Sequence, residues 1–168
     1  MKYFLIILLL FSFSLNATTI HVGKKYPIKS VKEGIALTKD GDTLMVHEGW
    51  YREGNIIIDK KIVFIGKGLP VLDGEKKHEV LSIKSDSVVV DGFKVIKSAY
   101  ATITDPCGIK VYNSKYVIIQ NNVLDDNFFG IYLQNCQKCT IKNNRLKAYG
   151  KEEQQLGNGI HCWKSNDI

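Results

Sequence analysis

The 168 residues, 45% hydrophobic and 24% charged, suffice for one domain with a sizeable core and have the balance of an ordinary globular protein. The formal charge of +6 is spread along the chain, and its densest basic run, Lys60-Lys61 with Lys67 nearby, is too thin for a nucleic-acid surface. A solvated basic face is the better account, and nucleic acid is excluded as the expected partner.

Residues 1–17, MKYFLIILLLFSFSLNA, read as a secretory signal peptide. Lys2 supplies the positive start, Tyr3 to Phe13 the apolar run, and Ala17 the last residue before cleavage, with cleavage after Ser14 as the alternative. The apolar run is too short to cross a bilayer, and no second one follows. The mature chain, residues 18–168, is therefore expected outside the cytoplasm as one domain, not spanning a membrane, and carrying about +5 once Lys2 has left. All four cysteines (107, 136, 139, 162) lie in this part, where disulfides are permitted.

A short strand, TTIHV, comes first, then a turn around Pro27. Ser30 and Glu33 stand at capping-box spacing and predict a helix over residues 30–39, stopped near Gly41. Beyond Gly41 helical periodicity disappears. Short β-rich runs alternate with Gly, Asn and Asp: TLMVHE, NIIID, KIVFIG, VLSIK, SVVVDG, YVIIQNN and CTIKNN.

Some of these runs repeat. GIKVYNSKYV from Gly108, GIYLQNCQKC from Gly130 and GIHCWKSNDI from Gly159 superpose without gaps, at spacings of 22 and 29 residues. So do VVVDGF from Val88, VIIQNN from Val117 and CTIKNN from Cys139. Repeats of this length, with β-runs and polar turns, specify a solenoid, and the longer spacing fits a corner loop, KEEQQL, at 151–156. The expected fold is all-β, a right-handed parallel β-helix with the helix at 30–39 capping its N-terminal end.

The period of two along each strand sorts the side chains into columns. Ile109, Ile131 and Ile160 form one inward column, and Val111, Leu133 and Cys162 a second. Val88, Val117 and Cys139 form a third, and Val90, Ile119 and Ile141 a fourth. Lys110, Tyr132 and His161 point outward together, as do Tyr112, Gln134 and Trp163. Gly92, Asn121 and Asn143 stack at a corner, where left-handed backbone suits them. Ile168 falls in the column of Val117 and Cys139, the first inward position of a new strand, so C-terminal rungs are expected to be missing from this chain.

Few residues offer chemistry. Cys136 and Cys139 have the spacing of a redox or metal pair, but the columns put Cys139 inside and Cys136 in a turn with Ser114 and Ser165. Cys139 and Cys162 read as small apolar filler, and a Cys136–Cys139 disulfide is disfavoured because the inward side chain would have to turn back. Met45 and His47 share the outward side of TLMVHE, and their thioether and imidazole would suit copper, although plain solvent exposure is the simpler reading. His161 is a third candidate ligand. Asp91, Asp105, Asp125 and Asp126 show no paired-carboxylate site and read as turn residues. Tyr112, Tyr132 and Trp163 are the expected interaction surface, for a sugar or a protein partner.

The order of features resembles a known family over nearly the whole mature chain. GDTLMV, IGKGLPVLDG, the FGIYLQN rung and the GNGIHCWKS rung, in this spacing, are similar to the NosD family of nitrous oxide reductase maturation proteins. That resemblance implies a periplasmic accessory protein without catalytic residues. It implies action with ABC transporter subunits and the reductase, during assembly of the reductase's copper–sulfur site, and hence copper as the metal to look for. Two rivals stand beside it: a secreted carbohydrate-active β-helix favoured by the positive charge, and an adhesin-like surface module.

Overall fold

A computed structural model describes residues 17–100, 105–149 and 157–168. The expected signal segment, apart from Ala17, and the expected corner loop at 151–156 lie outside these residues. Among the described residues, no helix is long and apolar enough to cross a membrane.

The chain is a parallel β-solenoid, as its repeats require. The first sheet contains β1 (Thr19–Val22), β2 (Thr43–His47), β5 (Val63–Lys67), β8 (Val89–Asp91), β11 (Ile118–Gln120) and β14 (Thr140–Lys142), neighbouring in that order. The second contains β3 (Trp50–Tyr51), β6 (Val71–Asp73), β9 (Lys94–Ile96), β12 (Val123–Asp125) and β15 (Arg145–Lys147). The third contains β4 (Ile56–Ile58), β7 (Leu81–Ile83), β10 (Cys107–Tyr112), β13 (Phe129–Gln134) and β16 (Ile160–Trp163). From β2 onward each coil therefore gives one strand to each sheet, and five coils follow one another.

The columns appear in the registers. Ile109 pairs with Ile131 and Ile131 with Ile160, while Val111 pairs with Leu133 and Leu133 with Cys162. Val90, Ile119 and Ile141 stack in the first sheet. The core runs down the axis and includes Phe64 and Phe93 from successive coils, their rings stacked at 4.2 Å. No single coil can enclose such residues, so burial between coils supplies the stability.

The corners follow the same logic. Gly92, Asn121 and Asn143 take φ of +81°, +57° and +56°. The next residues build a ladder not foreseen from the columns. Asn122 Oδ1 accepts the Phe93 amide at 2.9 Å, and Asn144 Oδ1 accepts the Asn122 amide at 2.9 Å. Asn122 Nδ2 donates to Val90 O and Asn144 Nδ2 to Ile119 O, at 3.2 and 2.8 Å. Each asparagine thus satisfies backbone groups where the strands turn away from one another.

The helix, α1 (Val31–Leu37), is shorter than expected and covers the first coil with Val31, Gly34 and Ile35. A Cβ on Gly34 would lie 2.6 Å from Val22 and 2.9 Å from Leu44, so the helix packs directly on the first sheet. Ser30 is the N-cap, its Oγ accepting from Glu33 N at 3.3 Å, but the returning half of the capping box comes from elsewhere. Glu53, on the next turn of chain, accepts from Val31 N (2.8 Å), Lys32 N (3.0 Å) and Ser30 Oγ (2.6 Å). At the other end Lys60 Nζ donates to Ile35 O and Thr38 O, both at 2.9 Å. Carboxylate at the start and ammonium at the end both oppose the helix dipole.

Candidate functional site

Two clusters collect the residues singled out from the sequence, and they lie on different sheets.

The first is on the outer side of the third sheet. Ile57, Ser82, Lys110, Tyr132 and His161 pair in one register column, and Tyr112, Gln134 and Trp163 in another. Lys110 and Tyr132 were expected to be exposed. Both are only 6% exposed, because the outer face is itself packed. Lys110 Nζ lies 4.7 Å from the Tyr132 ring and 5.1 Å from the Tyr112 ring, and reaches Asp105 O at 3.4 Å. Tyr132 meets His161 edge-on at 4.7 Å, and Phe129 lies 5.5 Å from Tyr132 and 5.4 Å from His161. A cation between two aromatic faces is stabilised by their quadrupoles once water is removed.

The carboxylate of this cluster is Glu79. Tyr112 Oη donates to its Oε1 and Oε2 at 3.1 Å each, and the single Ser82 Oγ proton is shared between Glu79 Oε1 and Asn55 Oδ1, the latter at 2.9 Å. Burial, and then the Glu79 charge, push the Tyr112 phenol above its ordinary range. Burial and then the carboxylate of Asp105 do the same to Tyr132. Both tyrosines therefore stay neutral, Tyr112 donating to Glu79 and both rings facing Lys110. Trp163 (51% exposed) remains open beside them, with Lys84 Nζ 5.6 Å from the Tyr112 ring farther along the face.

The second cluster is on the first sheet, where β1 meets β2. His47 does not stand alone: His21 Nδ1 and His47 Nε2 are 2.9 Å apart, in a hydrogen bond, and the Tyr26 ring stacks on both, at 5.1 and 4.1 Å. Met45 is the register partner of His21. A cavity of about 490 Å³ opens beside the pair, lined by Lys24, Lys25, Tyr26, His47, Glu48 and Lys67. Burial, then the neighbouring His21 and Lys67, hold His47 below its usual value. His21 was missed because its role depends on β1 pairing in register with β2, two residues out of line with His47.

The candidate copper ligands lie in two separate places. Met45 and His47 are on β2, whereas His161 is on β16 of another sheet, where it bonds Asn158 at 3.1 Å. The two imidazoles that do meet are hydrogen-bonded to each other, with Lys67 acting on His47 as a like charge that opposes a cation. Among the described residues, no group of three or more His, Cys, Asp or Glu is placed to hold a metal.

Of the four acidic residues expected in turns, Asp91 and Asp125 instead end strands β8 and β12. Asp105 and Asp126 are turn residues with φ of +43° and +60°, and Asp126 pairs with Lys76 at 2.7 Å. Asp125 faces Lys94 at 3.7 Å, and Asp91 accepts from Gln120 and Asn121. Cys162 keeps its column but is exposed, since no described residue stacks over it. Ile168, expected to point inward, is 48% exposed for the same reason.

Comparison with known proteins agrees with this architecture. The chain is similar to a solved pectin methylesterase mutant in complex with a hexasaccharide, at 9% identity and a TM-score of 0.54, over 92% of this chain and 68% of that one. A second pectin methylesterase complex with a hexasaccharide shares 11% identity (TM-score 0.47) over 92% and 68% of the two chains. The Aspergillus niger enzyme shares 15% (TM-score 0.37) over 89% and 68%. At such identities the likeness is one of fold. No curated protein matches the sequence. The model of the family described as "Right handed beta helix region" matches residues 73–168, more than half of the chain, and the chain belongs to that family.

Proposed function

We propose that this protein is a periplasmic accessory factor of nitrous oxide reductase maturation, a docking scaffold that works with ABC transporter subunits and the reductase and carries out no turnover of its own. The sequence resemblance named above supports the biological setting. The observation that carries the scaffold role is the outer face of the third sheet. It presents Lys84, Tyr112, His161 and Trp163 over the buried Lys110 and Tyr132, while Glu79 is already bound by Tyr112 and Ser82. Tyr and Trp side chains at the surface are residues that anchor protein interfaces. A glycosidase instead needs two free carboxyl groups facing each other across the substrate.

The test is co-purification of the full-length protein with the transporter's membrane subunits from detergent-solubilised membranes. Retention of those subunits, weakened when Tyr112 and Trp163 are replaced by Ala, supports the proposal, and clean recovery of the protein alone overturns it. A second reading, an anionic-polysaccharide binder, is favoured by the same cations and stacking rings on a fold shared with pectin methylesterases. Salt-sensitive binding of polygalacturonate in the absence of transporter association would replace the first reading by the second.

A further inference from the structure

We propose that Cys136 and Cys139 form a reversible dithiol–disulfide site that exchanges with a disulfide oxidant. The pair sits in the corner between the third and first sheets. That corner repeats in three coils, at residues 113–116, 135–138 and 164–167, each opening and closing on left-handed residues. The second corner residue is Ser114, then Cys136, then Ser165, and each side chain donates to the carbonyl two residues earlier: Tyr112 O at 2.7 Å, Gln134 O at 3.3 Å and Trp163 O at 3.1 Å. A serine therefore fills the structural role of Cys136. In the same way Val88 and Val117, at most 1% exposed, fill the position of Cys139. Packing does not require cysteine at either place, yet this coil has it at both.

The expectation that Cys139 would have to turn back to reach Cys136 is corrected here. Cys136 itself faces the interior, 0% exposed and part of the core, and Cys139 is 4% exposed beside it. Each thiol also reaches a carbonyl of the coil below, Val111 O at 3.5 Å and Ser114 O at 3.9 Å. Both are free. The neighbouring Cys139 thiol brings Cys136 down to about 7 against the opposing effect of burial, while Cys136 and burial push Cys139 up. Cys107 and Cys162 are both pushed upward by burial and have no such partner among the described residues.

The exchange balances with a disulfide co-reactant. The Cys136 thiolate, its proton released to solvent, attacks one sulfur of the oxidant and expels the other as a thiolate. Cys139 then loses its proton and attacks the Cys136 sulfur, expelling the second thiol. The dithiol is oxidised by two electrons and the oxidant is reduced to two thiols. With only Gln137 and Lys138 between the cysteines, the bridge constrains the unfolded chain very little, so the pair suits exchange better than stapling. In the next coil Ser165 Oγ accepts from Cys136 N at 2.9 Å, and Ser165 is half-buried.

The test equilibrates the full chain with mixtures of reduced and oxidised glutathione, quenches with acid, alkylates under denaturing conditions with N-ethylmaleimide, and digests with trypsin. Trypsin cuts after Lys138, between the cysteines. In oxidising mixtures the two flanking peptides are expected to stay joined, two hydrogens lighter than their sum, and to separate on reduction. Cys139→Val is expected to leave a glutathione adduct on Cys136. Cys136→Ser with Cys139→Val, the residues of the preceding coil, is expected to keep the far-UV spectrum and lose the response. Alkylation of both cysteines at every ratio, or a Cys136–Cys162 bridge in place of this one, overturns the proposal. Peptide mapping of the unsubstituted chain decides the matter even if a variant does not fold.

Discussion

Asn144 stands one coil above Asn122, and its Oδ1 accepts the Asn122 main-chain N–H at 2.9 Å and one side-chain N–H at 3.0 Å. Asn122 in turn serves Phe93 N and Val90 O below it, and is 1% exposed. Replacing Asn122 by Ala strands these buried groups, so Asn122→Ala is expected to cost about 3 kcal/mol, roughly one to two unsatisfied backbone partners. Asn122→Asp, which accepts but cannot donate, should be nearly as damaging. Urea denaturation of each variant measures both.

Glu53 joins the capping helix to the body of the coil by accepting from Ser30, Val31 and Lys32. Glu53→Ala is expected to lower stability by about 1–2 kcal/mol, as lost caps do. The same substitution at Glu33, whose main-chain N–H alone serves the cap, should cost far less. Comparing the two by thermal denaturation separates the cap that the spacing predicts from the one the fold uses.

The His21–His47 pair makes stability depend on pH in one direction. His47 is held below its ordinary 6.5 by burial, His21 and Lys67. An imidazole with a depressed folded value binds its proton more readily in the unfolded chain. Its contribution is fully present above pH 6.5, falls as pH drops from there through the folded value, and then levels off. Denaturant midpoints at about pH 7.5 and about pH 5 should differ less in His47→Gln than in the unsubstituted chain.

Trp163 is 51% exposed at the edge of the outer strip. Trp163→Ala is expected to change stability by no more than about 0.5 kcal/mol and to weaken association with the docking partner about tenfold or more. Surface plasmon resonance beside a urea titration distinguishes this from a folding defect, since a structural role would shift both measurements together.

The repeats were legible because a solenoid converts sequence spacing directly into register. Once Gly108, Gly130 and Gly159 are superposed, the partners of Ile131 and Leu133 follow, and the pairing agrees residue by residue. The left-handed corners at Gly92, Asn121 and Asn143 were legible for the same reason. The sites were less so. Met45, His47 and His161 looked alike as exposed donors, but two lie on one sheet and the third on another. Lys110 and Tyr132 did point outward, yet direction is not exposure: neighbouring columns, the backbone at Asp105 and the ring of Phe129 close over them.

By itself the sequence determined the β-helix, its columns and its corners, because alternation along a strand and recurrence at the coil length are local properties that stacking must respect. Tertiary structure decided which columns meet across a corner or over an outer face. It set Glu53 on the helix start, His21 against His47, Asn144 on Asn122, and Cys136 in the core with Cys139. These contacts depend on side-chain reach and on how tightly each coil turns, and neither is written in the spacing of residues along the chain.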